Sequence, residues 1–253
     1  MKLYKITFSP TGGTQKAADL LVENWKAQSI SVDLTDPNAH FSDVSLTAED
    51  VAVIAVPSYA GRVPAPAVQR LTAMQGNGAR AVLVCVYGNR AYEDTLVELE
   101  DAAVQAGFQV VAGVAAIAEH SIAHQYAAGR PDSQDKLQLQ DFGQKIWDKL
   151  QSGDNSQPTL PGNRPYKKAG GVGMVPKPAK DCNRCGLCAQ QCPVQAIDPA
   201  DPSRTDKELC ISCMRCVAVC PKGARKVNPV MLTAAQVALK KVCSDRKEGE
   251  LFL

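Results

Sequence analysis

Two stretches of sequence decide the interpretation of this chain: residues 182–193 read CNRCGLCAQQCP, and residues 210–221 read CISCMRCVAVCP. Each has the form C-x2-C-x2-C-x3-C-P, which is the cysteine spacing of bacterial iron–sulfur ligation. Three closely spaced thiolates bind three corners of a [4Fe–4S] cube, and the fourth corner needs a thiolate from elsewhere in the chain. The repeat therefore predicts two [4Fe–4S] clusters.

At this spacing, the cysteine that precedes each proline serves the cluster of the other half. The predicted ligands of the first cluster are Cys182, Cys185, Cys188 and Cys220. The predicted ligands of the second cluster are Cys210, Cys213, Cys216 and Cys192. Such crossed ligation joins the two halves into one small, pseudo-symmetric domain.

Disulfide bonds and zinc sites are weaker explanations of these cysteines. Disulfides are typical of exported proteins, and the start of the chain, residues 1–4, does not have the character of a signal peptide. Structural zinc sites use two CxxC pairs without a third thiolate at the same spacing. Residues 179–229 resemble the two-cluster ferredoxins, and this resemblance implies a small α+β fold.

The length of 253 residues predicts one domain of ordinary size and a smaller second one. Proline and glycine become frequent after residue 151, where we expect neither helix nor strand to persist. The predicted divisions are a first domain (residues 1–151), a linker (152–178), the cluster domain (179–229), and a carboxyl-terminal helix and tail (230–253). The linker is long enough for the cluster domain to fold back onto the first domain or to swing away from it.

Charge is distributed unequally along the chain. Residues 1–150 hold 12 Lys and Arg against 17 Asp and Glu, and residues 151–253 hold 16 against 9. Because cluster thiolates are negative, we interpret the basic residues of the second part as compensation for the clusters and expect no nucleic-acid partner. No apolar run is long enough to span a membrane. We expect a cytoplasmic protein, from an anaerobe because exposed clusters are sensitive to oxygen.

The first domain alternates predicted strands with predicted helices. The predicted strands cover residues 2–8, 31–34, 51–56, 81–86 and 109–117, and the last three are apolar runs typical of buried strands. The predicted helices cover residues 14–28, 65–74, 91–106 and 131–150. This alternation predicts an α/β fold with a doubly wound parallel sheet of five strands in the order 2-1-3-4-5. Ligands of such sheets bind at the carboxyl ends of the strands.

A loop rich in hydroxyl groups and glycine, Ser9-Pro10-Thr11-Gly12-Gly13-Thr14, joins the first predicted strand to the first helix. Helix amino termini bind phosphate through free N–H groups. The loop is not a Walker motif, and an ordinary helix start with a threonine N-cap is the alternative. It resembles the S/T-x-T-G-x-T loop of flavodoxins, and the resemblance implies an FMN phosphate site formed by Ser9, Thr11, Gly12, Gly13 and Thr14.

The loops after the third and fourth predicted strands are expected at the same edge of the sheet. They contain aromatic side chains that can lie against a flat ring, and glycine for close backbone approach. They resemble the two ring-clamping loops of flavodoxins, which implies that Tyr59 or Tyr92 stacks on the isoalloxazine ring of FMN. The predicted ring contacts are Pro57, Ser58, Tyr59, Ala60, Gly61, Arg62, Tyr87, Gly88, Asn89, Arg90, Tyr92, Glu93 and Asp94.

Several of these residues have a simpler alternative role. The tyrosines can be packing residues at strand ends. Arg62 and Arg90 can place positive charge near a reduced flavin, or they can be solvated. Residues 119–131 interrupt the last strand–helix connection and can form a lid, in which His120 or His124 passes a proton or simply faces solvent.

The whole chain resembles fused flavodoxin–ferredoxin proteins. The resemblance implies an electron-transfer protein in which FMN exchanges low-potential electrons with two [4Fe–4S] clusters and switches between one- and two-electron transfer. The alternative is an FMN-dependent reductase of a small-molecule acceptor that the clusters supply with electrons. Redox proteins are the expected partners of either, and a homodimer stays open.

Overall fold

Five parallel strands form the centre of the first domain. The computed structural model describes residues 1–170 and 173–253. The strands are β1 (Lys2–Thr7), β2 (Gln28–Asp33), β3 (Val51–Pro57), β4 (Arg80–Tyr87) and β5 (Gln109–Ile117). They lie in the order β2-β1-β3-β4-β5, and each neighbouring pair is parallel. The predicted fold class and strand order are confirmed.

Helices cover both faces of this sheet. They are α1 (Gly13–Leu21), α2 (Ala65–Thr72), α3 (Thr95–Gln105) and α4 (Ser133–Gln151). Successive residues of a strand point to opposite faces. Val53 accordingly packs with α1 and α4, whereas Ile54 packs with α2 and α3. Each fully buried aliphatic side chain of this kind stabilises the fold by about 1.5–3 kcal/mol.

Two predicted helices are shorter in the structure. Helix α1 ends at Leu21 rather than at residue 28, because β2 already begins at Gln28 and the chain must turn before it. Helix α3 begins at Thr95 rather than at residue 91. Asn89 and Glu93 have φ angles of 65° and 42°, in the left-handed region that a right-handed helix excludes.

The carboxyl-terminal tail returns to the first domain, which the sequence did not predict. After helix α7 (Pro229–Cys243), strand β8 (Glu250–Phe252) pairs antiparallel with β5 and becomes the sixth strand of the sheet. The buried side chain of Asn89 donates hydrogen bonds of 2.8 Å to the carbonyl oxygens of Cys243 and Asp245. The tail is thereby attached to the loop after β4.

The cluster domain consists of short elements arranged in two similar halves. Helices α5 (Leu187–Gln190) and α6 (Arg215–Ala218) follow the first cysteines of each half, and β6 (Lys177–Pro178) pairs antiparallel with β7 (Arg225–Lys226). None of the helices within residues 1–170 and 173–253 is long and apolar enough to cross a membrane.

The linker lies along helix α3 rather than extending into solvent. In its described part the chain forms no helix or strand before β6, as predicted, while residues 171 and 172 lie outside the described residues. The buried carboxylate of Asp94 accepts hydrogen bonds from the backbone N–H groups of Asn163 (2.8 Å) and Lys167 (2.7 Å). Arg164 pairs with Glu100 at 2.7 Å. These contacts fix the path of the chain between the two domains.

Candidate functional site

The eight cysteines of the repeat surround two small cavities. One cavity is lined by Cys182, Cys185, Cys188 and Cys220. The other is lined by Cys192, Cys210, Cys213 and Cys216. Each cavity thus receives three cysteines from one half and one from the other half. The structure brings the cysteines together in the two groups that crossed ligation requires.

The surroundings of the sulfur atoms fit cubic clusters. In equivalent positions of the two halves, the N–H of Ala196 approaches the Sγ of Cys192 at 3.3 Å, and the N–H of Ala224 approaches the Sγ of Cys220 at 3.2 Å. Such bonds stabilise negative charge on sulfur and tune cluster potentials. Within residues 1–170 and 173–253, no three ligating side chains converge on a single-ion site. The sulfurs are spread around a cavity, as ligands at the corners of a cube must be.

The two cavities differ in their exposure. Cys185 of the first cavity is exposed, whereas its counterpart Cys213 is buried. The loop between the first two cysteines of each half shows the same difference, because Arg184 is exposed and Ile211 packs against the core of the first domain. The second cavity therefore faces the first domain, and the first cavity faces solvent.

Two arginines join the domains beside the second cavity. Arg70 of α2 donates a hydrogen bond of 2.5 Å to the carbonyl oxygen of Pro193, which follows Cys192. Arg215, which precedes Cys216, donates one of 3.3 Å to the carbonyl oxygen of Pro10. Both contacts involve residues adjacent to cysteines of the second cavity.

A cleft of about 690 Å³ lies at the carboxyl ends of β1, β3, β4 and β5. Its volume is within the range of small-molecule sites, roughly 300–1,000 Å³. It is lined by eleven of the residues predicted to bind FMN: Thr11, Gly13, Thr14, Pro57, Ser58, Tyr59, Ala60, Arg62, Tyr87, Gly88 and Arg90. The opposite wall includes residues 210–212 of the cluster domain. The cleft is therefore shared between the two domains.

The loop before α1 has the donor groups that a phosphate needs. Gly12 has a φ of 91°, a conformation that glycine adopts without strain, and no side chain caps the helix. The threonine N-cap alternative is therefore wrong. The N–H groups of residues 11–14 have no hydrogen-bond partner in the part of the chain that the structure describes. Ser9 instead shapes the loop, since its Oγ accepts a hydrogen bond of 2.9 Å from the N–H of Gln15.

Tyr59 is the aromatic side chain best placed for a planar ligand. It lies in a tight turn in which its N–H donates to Arg62 (2.9 Å) and its carbonyl oxygen accepts from the same residue (3.1 Å). Ala60 and Gly61, at the tip of the turn, both have positive φ. Burial raises the pKa of Tyr59 well above its ordinary value, so its hydroxyl is neutral at physiological pH.

Seven of the predicted FMN contacts are not in the lining of the cleft: Ser9, Gly12, Gly61, Asn89, Tyr92, Glu93 and Asp94. The ring of Tyr92 lies 5.2 Å from that of Tyr87, and its hydroxyl donates to Glu250 of β8 at 3.0 Å. The side chains of Asn89 and Asp94 hold the tail and the linker. This placement differs from the prediction for the loop after β4, because long-range contacts of the tail and linker occupy it.

Both arginines of the cleft are engaged in ion pairs. Arg62 makes two bonds of 2.7 Å with the carboxylate of Glu98, and Arg90 makes bonds of 3.0 and 2.8 Å with Glu93. Their charges are largely neutralised by these partners. The structure therefore gives no support to the prediction that either arginine presents an unpaired positive charge to a reduced flavin.

The two histidines of the insertion after β5 have different surroundings. His120 lines the cleft, and its Nδ1 accepts hydrogen bonds from the N–H groups of Ile122 (3.2 Å) and Ala123 (3.1 Å). Burial lowers the pKa of His120, so the ring is neutral at pH 7 with its proton on Nε2. His124 is exposed and lies 2.7 Å from Glu119.

Other parts of the cleft had no local signal in the sequence. They are Leu239 of α7, residues 169, 170 and 173 of the linker, and residues 210–212 of the cluster domain. All of them reach the cleft through the folding back of the second part of the chain. Sequence patterns identify elements and their order, and they do not specify how two domains pack.

The crossed grouping predicts which cysteines lose protection when one ligand is removed. In Cys220→Ser, we expect iron to fall from about eight to about four per chain, and the other three cysteines of the first cavity to become alkylated under anaerobic conditions. The cysteines of the second cavity should stay protected, as measured by mass spectrometry. Cys85→Ser, at a fully buried site in β4, should keep all its iron. Alkylation of the second group instead of the first would contradict crossed ligation.

Comparisons with known proteins agree with this division of the chain. The family model described as the 4Fe-4S dicluster domain matches residues 179–225. An iron–sulfur-type relative from Archaeoglobus fulgidus, one of the subunits of its tetrathionate reductase, is 40% identical over 78 residues, which are 29% of this chain and 36% of that protein. The chain thus spans about a third of the length of this relative.

Two further comparisons concern smaller proteins. Ferredoxin Fdx2 of Sorangium cellulosum is 34% identical over 80 residues, which are 28% of this chain and 79% of the ferredoxin. A Fusobacterium nucleatum flavodoxin bound to flavin mononucleotide has 16% identity and a TM-score of 0.39, and the similarity covers 59% of this chain and 99% of the flavodoxin. With its 4Fe-4S dicluster domain behind a flavodoxin-like sheet, the chain belongs to the ferredoxin family.

Proposed function

We propose that this protein passes low-potential electrons between two [4Fe–4S] clusters and FMN. The observation that carries the proposal is the composition of the large cleft. Loops at the carboxyl ends of the parallel strands form one wall, and residues 210–212, next to three cysteines of the second cavity, form the other. A flavin in this cleft would be in contact with the loop that binds a cluster.

The residues of the cleft divide into a phosphate site and a ring site. We assign the phosphate to the N–H groups of residues 11–14, and the ring to Tyr59 and the backbone near Gly88. FMN exchanges electrons one or two at a time, whereas each cluster exchanges one. The protein contributes by holding these groups at fixed positions and by excluding water from the space between them.

Electrons reach the second cluster through the first, because only the first cavity is open to solvent. Cys185 is exposed there, and the nearby surface carries Lys180, Arg184 and Lys222 against a single exposed acidic residue, Asp181. Charge of one sign accelerates the encounter with a partner of the opposite sign. We therefore propose an acidic redox protein as the partner that binds at the first cluster.

A second candidate function is the reduction of a small-molecule acceptor in the same cleft. The observation in its favour is His120, whose ring is neutral and fixed at Nδ1 by two backbone N–H groups. Its Nε2 proton is consequently available to a molecule bound in the cleft. In this function, the clusters supply electrons and the imidazole supplies a proton.

Analysis of iron, acid-labile sulfide and flavin tests the proposed cofactors directly. Protein purified without oxygen should contain about eight iron, eight sulfide and one FMN per chain. Colorimetric iron and sulfide assays and the fluorescence of released flavin provide the measurement. Full iron and sulfide in a protein that fails to bind added FMN would contradict the flavin assignment and leave the function of the cleft undefined.

A matched pair of histidine variants distinguishes the carrier from the reductase. If the protein is a carrier, His120→Ala and His124→Ala should both transfer electrons to protein acceptors at the unmodified rate. If it is a reductase, His120→Ala should lose about 10²- to 10⁴-fold in turnover of its acceptor, the range of general acid catalysis, while His124→Ala keeps it. Unchanged turnover of every acceptor in His120→Ala excludes the reductase mechanism.

A further inference from the structure

The two halves of the cluster domain have the same backbone shape at equivalent positions. Arg184, between the first two cysteines of the first half, has a φ of 56°, and its counterpart Ser212 has a φ of 54°. Left-handed φ is uncommon for residues other than glycine. Because it occurs in both halves, this conformation belongs to the way the loop surrounds a cluster and is not specific to either side chain.

The side chains of these two loops differ in a way that matches their surroundings. In the first half, Asn183 and Arg184 are polar and exposed. In the second half, Ile211 packs against the core of the first domain, and Ser212 lines the large cleft. An apolar and a small polar residue have thus replaced two large polar ones on the half that contacts the first domain.

The hydroxyl of Ser212 has no partner within the part of the chain that the structure describes, although its Oγ is buried. A serine hydroxyl can donate one hydrogen bond and accept two. Leaving it unpaired in a buried position costs free energy, so buried hydroxyls are normally satisfied. The backbone N–H of the same residue is directed to the sulfur of Cys210. The side chain is therefore available to a ligand of the cleft while the backbone serves the cluster.

We propose that the loop of residues 210–213 binds the flavin as well as a cluster, and that the Ser212 hydroxyl forms a hydrogen bond with the polar edge of the flavin ring. This inference rests on the proposed function and extends it to a residue of the cluster domain. A rotation about χ1 of Ser212 directs the hydroxyl into the cleft. The apolar side chain of Ile211 keeps water away from that bond.

Variants at Ser212 and at its counterpart test the proposal. Ser212→Gly removes the hydroxyl and adopts positive φ without strain, and Ser212→Asn keeps a hydrogen-bonding group at a residue type that tolerates this conformation. Arg184→Gly makes the equivalent change in the first half. Ser212→Ala provides a second hydroxyl deletion in case glycine loosens the loop. Iron content and the cluster spectrum verify that each variant keeps both clusters.

The readout is the affinity for FMN and for riboflavin, measured anaerobically by quenching of flavin fluorescence. Loss of one hydrogen bond should weaken the binding of both flavins by about three- to tenfold in Ser212→Gly and Ser212→Ala. Both flavins should be affected because the bond is to the ring and not to the phosphate. Ser212→Asn and Arg184→Gly should stay within about twofold of the unmodified protein.

Two results would overturn the inference. One is unchanged flavin affinity in Ser212→Gly and Ser212→Ala with full iron content, and the other is a change in the cluster spectrum without any change in flavin affinity. In both, the unmodified protein still binds FMN and the proposed function stands. If the unmodified protein binds neither flavin, the proposed function itself fails, and the role of Ser212 fails with it.

Discussion

The contact between the loop of residues 210–213 and the carboxyl end of the parallel sheet is the constraint on which the rest of the structure depends. It turns an open sheet edge into a cleft with two walls. It also orients the cluster domain, because Ile211 packs against the first domain while Arg184, in the matching loop of the other half, is left in solvent. One cluster site is buried beside the cleft, and the other is open to a partner.

Direct polar contacts between the domains are few, so the chain itself must maintain this arrangement. A typical hydrogen bond contributes only about 0.5–1.5 kcal/mol net, and the bonds of Arg70 and Arg215 alone would give a weak association. The linker attached to Asp94 and the tail attached to Asn89 add two covalent connections with fixed paths. Connections of this kind raise the effective concentration of one domain near the other. Both attachments lie in the loop after β4, which explains why that loop is less available to a ligand than its sequence indicates.

The sequence was sufficient for features with a local pattern and insufficient for features that depend on packing between domains. The apolar runs of β3, β4 and β5 predicted a doubly buried parallel sheet, and the cysteine spacing predicted two groups of four. Strand β8 was missed because three residues at a chain end have no periodicity of their own. The predicted ring contact of Tyr92 depended on a loop motif, and the hydroxyl of that residue binds Glu250, more than 150 positions further along the chain. Ser212 carries no sequence signal apart from its difference from Arg184.

The central claim is that clusters and flavin exchange electrons within one molecule, and a kinetic experiment tests it most directly. The clusters of the FMN-loaded protein can be reduced rapidly by a one-electron donor and the flavin absorbance followed at several protein concentrations. If the cleft holds the flavin against residues 210–212, the rate constant for the following flavin reduction should be independent of protein concentration. A rate that rises in proportion to protein concentration would mean that electrons pass between molecules, and would contradict the account.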